Sequence, residues 1–279
     1  MNTTFALGGD LEVHRLGFGA MQLTGPGVWG EPEDRAACVD VLRRAVELGV
    51  DFIDTADAYG PGVSEEIIRE ALHPYDGVVV ATKAGLARTG PGHWHVIGLP
   101  EYLTQCAEMS LRRLGVERID LFQLHRIDLR VPVAEQLGAL TDLQAAGKIR
   151  HIGLSEVTVE QLTEAQRHAP IVSVQNLYNL SDRRADPLVD HCAKHGVAFI
   201  PWFPFANGDL ARPGGPLDQI AAEIGCTPAQ AALAWLLWRS PGMLPIPGTQ
   251  SIAHLEENCA AGAIRLSDSH AIALNALAG

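Results

Sequence analysis

One arrangement recurs along this 279-residue chain and limits its fold more than any other feature. A helix-like segment ends in glycine, and within a few residues a short apolar run begins. "RRAVELGVDFIDTA" turns at Gly49, "LRRLGVERIDLFQLH" at Gly115, "LQAAGKIRHIGLS" at Gly147 and "HCAKHGVAFIPWF" at Gly196. Glycine takes the left-handed helix-cap conformation that other residues resist. The runs that follow are short and apolar, as for strands buried on both faces of a parallel sheet. The same reading predicts a small hairpin at residues 4–7 and 11–14. Strands are then expected near 16–19, 52–54, 78–82, 119–124, 151–154, 171–174, 198–201 and 244–246. Helices are expected over about 33–48, from 64, over 100–114, 133–146, after Thr158, over 185–195, from Thr227-Pro228, and after Ser251. Eight strands alternating with eight helices in this length predict an α/β fold: a (β/α)8 TIM barrel with a short N-terminal β-hairpin, one domain over residues 1–279. A doubly wound open sheet is the alternative, but no G-x-G-x-x-G follows the first strand.

Bulk properties narrow the function classes. Hydrophobic residues make up 47% and charged residues 19%, a globular balance. A net charge of −12 without a Lys/Arg-rich run argues against nucleic acid or an anionic membrane as partner. No apolar stretch reaches the length of a membrane span, and Met1-Asn2-Thr3-Thr4 leads into no signal-peptide pattern. The five cysteines are widely spaced with no C-x-x-C, so reduced thiols and a cytoplasmic location are expected.

In a barrel of this kind the chemistry sits where strands end and loops begin. The second strand ends in Asp54, and Tyr59 follows in its loop. The third ends in Lys83, the fourth in His125, the fifth in Ser155 and the sixth in Gln175-Asn176. Singly, each has an ordinary structural reading: a loop acid, a lysine reaching for water, a core imidazole. Together at one mouth, Asp54, Tyr59, Lys83 and His125 form a cluster with a specific chemistry. Asp54 would hold Lys83 charged, and that ammonium is expected to draw the Tyr59 pKa down. Tyr59 would donate a proton to a carbonyl oxygen that His125 orients. No nucleophile–base pair or metal triad is visible, so the hydride must come from a nicotinamide cofactor.

With these residues placed, the sequence resembles the aldo-keto reductase superfamily over essentially its whole length. The resemblance rests on an ordered set: "GVDFIDTADAYGPGVSEEIIREAL", "VVVATKAG", "LRRLGVERIDLFQLH", "AAGKIRHIGLSEVT", "SVQNLYN" and "LPIPGTQSIAHLEEN". It implies a (β/α)8 barrel that uses NAD(P)H without a Rossmann fold and reduces aldehydes or ketones. By motif, Asp54, Tyr59, Lys83 and His125 match the family's catalytic tetrad. Ser155 and Gln175 match residues that bind the nicotinamide amide, and Trp202 the ring that stacks on it. Phe203 and Pro204 follow in the same segment. Gly19, Ala20 and Met21 fall beside the cofactor, and Gly248, Thr249, Ser251, His254, Glu257 and Asn258 at its adenosine end.

The chain also departs from the family pattern. Glu156 stands where Asn is usual, and is expected either to turn away or to be protonated. Phe203 replaces a common small residue. Gly248 lacks a frequent Lys and His254 replaces a frequent Arg, leaving Thr249, Gln250 and Ser251 as donors to a 2′-phosphate. NADPH is therefore the expected cofactor, with NADH the alternative. "HRLGFGAMQLTGPGVWGEPEDR" and "LAWLLWRSPGMLPIPGTQSIAHLEEN" resemble pyridoxal reductase-type bacterial members, and Trp29, Trp94 and Phe205 are candidates to face an aromatic aldehyde. Residues 85–100, including His93-Trp94-His95, read as a flexible substrate loop without a metal site. A second class stays open: cofactor-sensing regulatory subunits of this fold with little turnover. The sequence leaves the oligomeric state open.

Overall fold

The glycines that end the helices do so in the left-handed region: φ is +88° at Gly49, +73° at Gly115, +74° at Gly147 and +67° at Gly196. Each turns the chain from a helix toward the sheet. The computed structural model describes residues 3–212, 214–215 and 217–277, so the outermost residues of the expected 1–279 domain lie outside the described residues. β1 (Thr4–Leu7) and β2 (Leu11–His14) pair as the expected antiparallel hairpin. β3 (Phe18–Gly19), β4 (Phe52–Asp54) and β5 (Val79–Ala84) follow, then a second hairpin of β6 (Leu86–Gly90) and β7 (His93–Val96). β8 (Ile119–Leu124), β9 (Ile149–Ser155), β10 (Ile171–Leu177) and β11 (Ala198–Trp202) complete the strands. The main sheet is parallel, in the order β3-β4-β5-β8-β9-β10-β11.

Helices α1 (Arg35–Glu47), α2 (Val63–Leu72), α3 (Pro100–Leu114), α4 (Val133–Ala145), α5 (Val159–Ala165) and α6 (Asp186–His195) lie between those strands. α7 (Asp218–Ile224), α8 (Pro228–Arg239), α9 (Ile252–Ala260) and α10 (Asp268–Ala276) follow β11. Thr227 caps α8 in a full capping box, with Pro228 at the first helical position. α7 and α10 have no counterpart in the sequence reading. None of the helices among the described residues is by itself long and apolar enough to cross a membrane.

Two expectations need correction. Within residues 85–100, expected as a flexible substrate loop, Leu86–Gly90 and His93–Val96 form the β6–β7 hairpin, with Ala87 opposite His95 and Arg88 opposite Trp94. The expected eighth strand, 244–246, is not a regular strand, yet it touches both edges of the sheet. Leu244 N donates to Phe199 O at 2.8 Å on the β11 side, and Gly17 N donates to Pro245 O at 2.9 Å ahead of β3. Pro241, Pro245 and Pro247 carry no N–H, so a continuous ladder is chemically impossible there. The result is a seven-stranded parallel sheet of TIM-like form, its edges linked by a proline-rich segment.

Side-chain alternation sorts the core into two layers. Phe52, Val79, Ala81, Leu121, Ala198, Ile200, Leu244 and Ile246 pack together inside the sheet, and Leu7 and Val13 of the N-terminal hairpin join them. Their neighbours Ile53, Val80, Phe122 and Phe199 face the other way, into the core shared with the helices. Gly248 follows the proline-rich segment, where a β-carbon would lie 2.3 Å from the Gly19 carbonyl oxygen. The contact is to main chain rather than to the end of a flexible side chain, so Gly248→Ala should cost about 1–3 kcal/mol through overpacking. Urea unfolding tests this, and an unchanged midpoint would show that the two segments are free to separate.

Candidate active site

The inward-facing rows begin apolar and end polar. Phe52 gives way to Asp54, Val79 and Ala81 to Lys83, Leu121 to Gln123 and then His125, and Ala198 and Ile200 to Trp202. Ser155 ends β9 and Gln175 lies in β10. The strands are parallel, so these residues gather at the carboxyl ends. A register shift between Ile171 and Ser173 keeps Gln175 beside Ser155.

Lys83 and Asp54 are both buried, and Lys83 Nζ lies 2.6 Å from Asp54 Oδ1. The same ammonium donates to Thr55 O at 2.7 Å. Asp54 Oδ2 accepts from Gln123 Nε2 at 3.0 Å and Gln175 Nε2 at 2.9 Å. Buried charges are tolerated when their remaining donors and acceptors are matched in this way. Burial opposes the Lys83 charge, but Asp54 and Tyr59 prevail and raise its pKa.

Tyr59 lies over this pair, with Lys83 Nζ 5.2 Å from its ring centre. Its loop is held by Asp57 N donating to Lys83 O at 3.0 Å and Gly62 N to Asp57 O at 2.8 Å. The His125 ring meets Tyr59 edge-on at 6.0 Å, and Trp94 stands 6.5 Å from both. The expected fall in the Tyr59 pKa is not what results. Burial outweighs the pull of Lys83, so the phenol titrates above its ordinary value of 10.0. Burial and the charges of Lys83, Arg126 and Arg88 hold His125 well below its ordinary 6.5. The site therefore presents a neutral phenol and a neutral imidazole.

A cleft of about 960 Å³ opens above these groups. Of the expected cofactor residues, Gly19, Met21, Asp54, Ser155, Gln175, Trp202, Phe203, Pro204, Gly248, Thr249, His254, Glu257 and Asn258 line it, as do Tyr59, His125, Trp94 and Phe205. Others lie behind the wall. Ala20 is buried in a single 3₁₀ turn, Lys83 sits beneath Tyr59, and Ser251 caps α9 by accepting from His254 N. Gln250, expected as a phosphate donor, instead donates to Gln22 O at 2.5 Å. Glu156 turns away from the cleft. Its Oε1 accepts from Leu177 N at 2.7 Å and from Trp202 Nε1 at 2.6 Å, so it fixes the indole.

Trp29 does not line the cleft. Arg88 stacks on Trp94 at 3.5 Å with Trp29 at 5.7 Å, and donates to the carbonyls of Gly27, Val28 and Ala58. One guanidinium thus binds the β6–β7 hairpin to the Tyr59 loop and to the loop bearing Trp29. His95, in the same hairpin, pairs with Thr89 Oγ1 at 2.9 Å. Gln22, Leu86, Val96, Arg126 and Ile246 also line the cleft and escaped the sequence reading. Gln123, which bonds Asp54, escaped it too, although it lies two residues before His125, where strand parity points.

The aldo/keto reductase family pattern matches residues 15–278. The chain belongs to this family. It is 44% identical over 279 residues to pyridoxine 4-dehydrogenase of Escherichia coli, covering 96% of this chain and 95% of the relative. It is 53% identical over 259 residues to an uncharacterised oxidoreductase of Schizosaccharomyces pombe, covering 93% and 85%. Among solved structures it is similar to an aldo/keto reductase from Klebsiella pneumoniae in complex with NADP and acetate, with a TM-score of 0.83 and 30% identity over 99% of this chain and 95% of that one. The glycerol dehydrogenase of Gluconobacter oxydans superposes with a TM-score of 0.90 at 26% identity, covering 99% and 94%.

In this aldo/keto reductase the buried ion pair sets a stability test. Lys83→Met leaves the Asp54 carboxylate without its cation and should cost about 3–5 kcal/mol. Adding Asp54→Asn should recover part of that loss, because both charges are then gone. Denaturant titration of the double-mutant cycle checks it, and strictly additive losses would show that the two groups are not coupled.

Proposed function

We propose that this chain reduces an aldehyde or ketone to the alcohol with NADPH, and that pyridoxal or another aromatic aldehyde is a substrate. We also take it to be a (β/α)8 barrel with the 243–247 segment in the eighth strand position, acting in the cytoplasm. The observation that carries the reading is the neutral Tyr59 phenol between the Lys83–Asp54 pair and neutral His125 on the floor of the cleft.

The donor set suits a nicotinamide carboxamide. Gln175 commits its amide N–H to Asp54 and keeps Oε1 as an acceptor, while Ser155 Oγ accepts from Arg126 and keeps its own proton to donate. Trp202, pinned by Glu156, offers an aromatic face. His254, Glu257 and Asn258 fall on one face of α9, at the other end of the cleft. When bound, the nicotinamide supplies the hydride. Tyr59 supplies the proton to the carbonyl oxygen, and Lys83 stabilises the phenolate left behind. His125, held neutral, orients the same oxygen through a ring nitrogen. The NADP and NADPH complexes of the Klebsiella pneumoniae reductases and the pyridoxine 4-dehydrogenase relative support the cofactor and the substrate class.

Tyr59→Phe should lower kcat by about 10²–10⁴-fold while leaving NADPH affinity near that of the parent. Because the Tyr59 pKa is raised, reduction by the parent enzyme should persist as pH rises to 10 and fall only above it. Steady-state rates with pyridoxal and benzaldehyde, alongside Trp fluorescence titration with NADPH, measure both. Parent-like turnover in the variant would remove Tyr59 from the reaction. A cofactor-sensing protein would bind NADPH and turn over neither aldehyde.

Cofactor preference tests the far end of the cleft. His254→Arg puts a permanent cation there, and a charged hydrogen bond is worth about 1.5–3 kcal/mol. NADPH should bind roughly ten-fold or more tightly in this variant, with NADH nearly unaffected. Equal gains for both cofactors would place the 2′-phosphate elsewhere.

A further inference from the structure

The residue after His125 is an arginine that the mechanism leaves unused. Arg126 lines the cleft beside Tyr59, His125 and Ser155. Its Nη1 donates to His125 O at 2.6 Å and to Ser155 Oγ at 3.0 Å, which fixes the plane of the guanidinium. Nε and Nη2 make no hydrogen bond, and the group forms no ion pair, among the described residues. The acid that influences it, Glu156, has its Oε1 engaged by Leu177 N and Trp202 Nε1. The other charge at the cleft floor, Asp54, is matched by Lys83, Gln123 and Gln175.

A guanidinium drawn partly out of water loses solvation, and here burial lowers its pKa. Its open donors lie beside the proton donor rather than at the α9 end of the cleft. A fork of N–H groups held in one plane is suited to a carboxylate, phosphate or phenolate oxygen.

We propose that Arg126 is a specificity-determining residue which receives an anionic oxygen substituent of the carbonyl substrate, so that the preferred substrates are aldehydes bearing a negative charge. This rests on the reductase reading above. It deepens that reading by separating the group that is reduced, held by Tyr59 and His125, from the group that is recognised, held by Arg126.

The test compares 4-carboxybenzaldehyde with benzaldehyde, using NADPH and the full chain. The parent should favour the carboxylate by at least about ten-fold in kcat/KM, as expected of one charged hydrogen bond. Arg126→Met should lower that preference by about ten-fold or more, whatever it does to both substrates in common, and Arg126→Lys should fall between. Calorimetry supplies a readout free of turnover. The NADP-loaded parent should bind 4-(hydroxymethyl)benzoate more tightly than benzyl alcohol, and Arg126→Met should lose the difference. A ratio that is the same in parent and Arg126→Met overturns the proposal while leaving the reductase reading intact. If neither aldehyde nor pyridoxal is reduced, the reductase reading fails, and the calorimetric comparison still decides whether Arg126 holds an anion. Should Arg126→Met fail to fold, by circular dichroism, the Arg126→Lys ratio decides in its place.

Discussion

A lysine and an aspartate buried together at the top of the sheet organise the rest of the molecule. Removing Lys83 and Asp54 from water costs several kcal/mol for each charge. That cost is offset because the two charges are themselves partnered: Lys83 Nζ donates to Asp54 and to Thr55 O, and Asp54 also accepts from two side-chain amides. Asp54 comes from β4, Lys83 from β5, Gln123 from β8 and Gln175 from β10. Four strands therefore hold their registers around one carboxylate. A one-residue slip in any of them would turn a polar end into the helix-facing core and an apolar residue into the site.

What lies above this pair follows from it. Tyr59 is buried against a cation yet remains a neutral phenol, because desolvation outweighs the electrostatic pull. His125, between Lys83 and Arg126, is pressed toward the neutral imidazole. Two neutral, polarisable groups beside a buried ammonium form an environment that responds most strongly when negative charge develops on a substrate oxygen. The walls are fixed by other hydrogen bonds. Arg88 joins three loops under Trp94, and Glu156 fixes Trp202. Glu156 adopts φ +54°, a conformation a non-glycine residue pays for, and its two short hydrogen bonds account for it.

Much of this was legible in the chain itself. Helix-terminating glycines and short apolar runs located the strands because backbone conformation and burial are local demands. β4 and β8 fall where the sequence places them, as do the hairpin of β1 and β2 and helix α3. Asp54, Lys83, His125, Ser155 and Gln175 stand out because a polar or titratable group at the end of a run that must be buried calls for a partner.

The sequence by itself thus determined where the seven strands of the main sheet lie and which polar residues end them, since these depend on residue type and spacing along the chain, but it gave neither the β6–β7 hairpin nor the irregular form of 244–246. Only the tertiary structure decided who meets whom. It placed Gln123 and Gln175 on Asp54, Glu156 on Trp202 and Gln250 on Gln22, and moved Trp29 behind Arg88. It also set the sign of the Tyr59 shift, because burial and charge act there in opposite directions and their balance depends on distances between segments far apart in sequence. The proline-rich segment at 241–247 makes the same point: its missing N–H groups forbid a regular strand, while its carbonyls still join the two edges of the sheet.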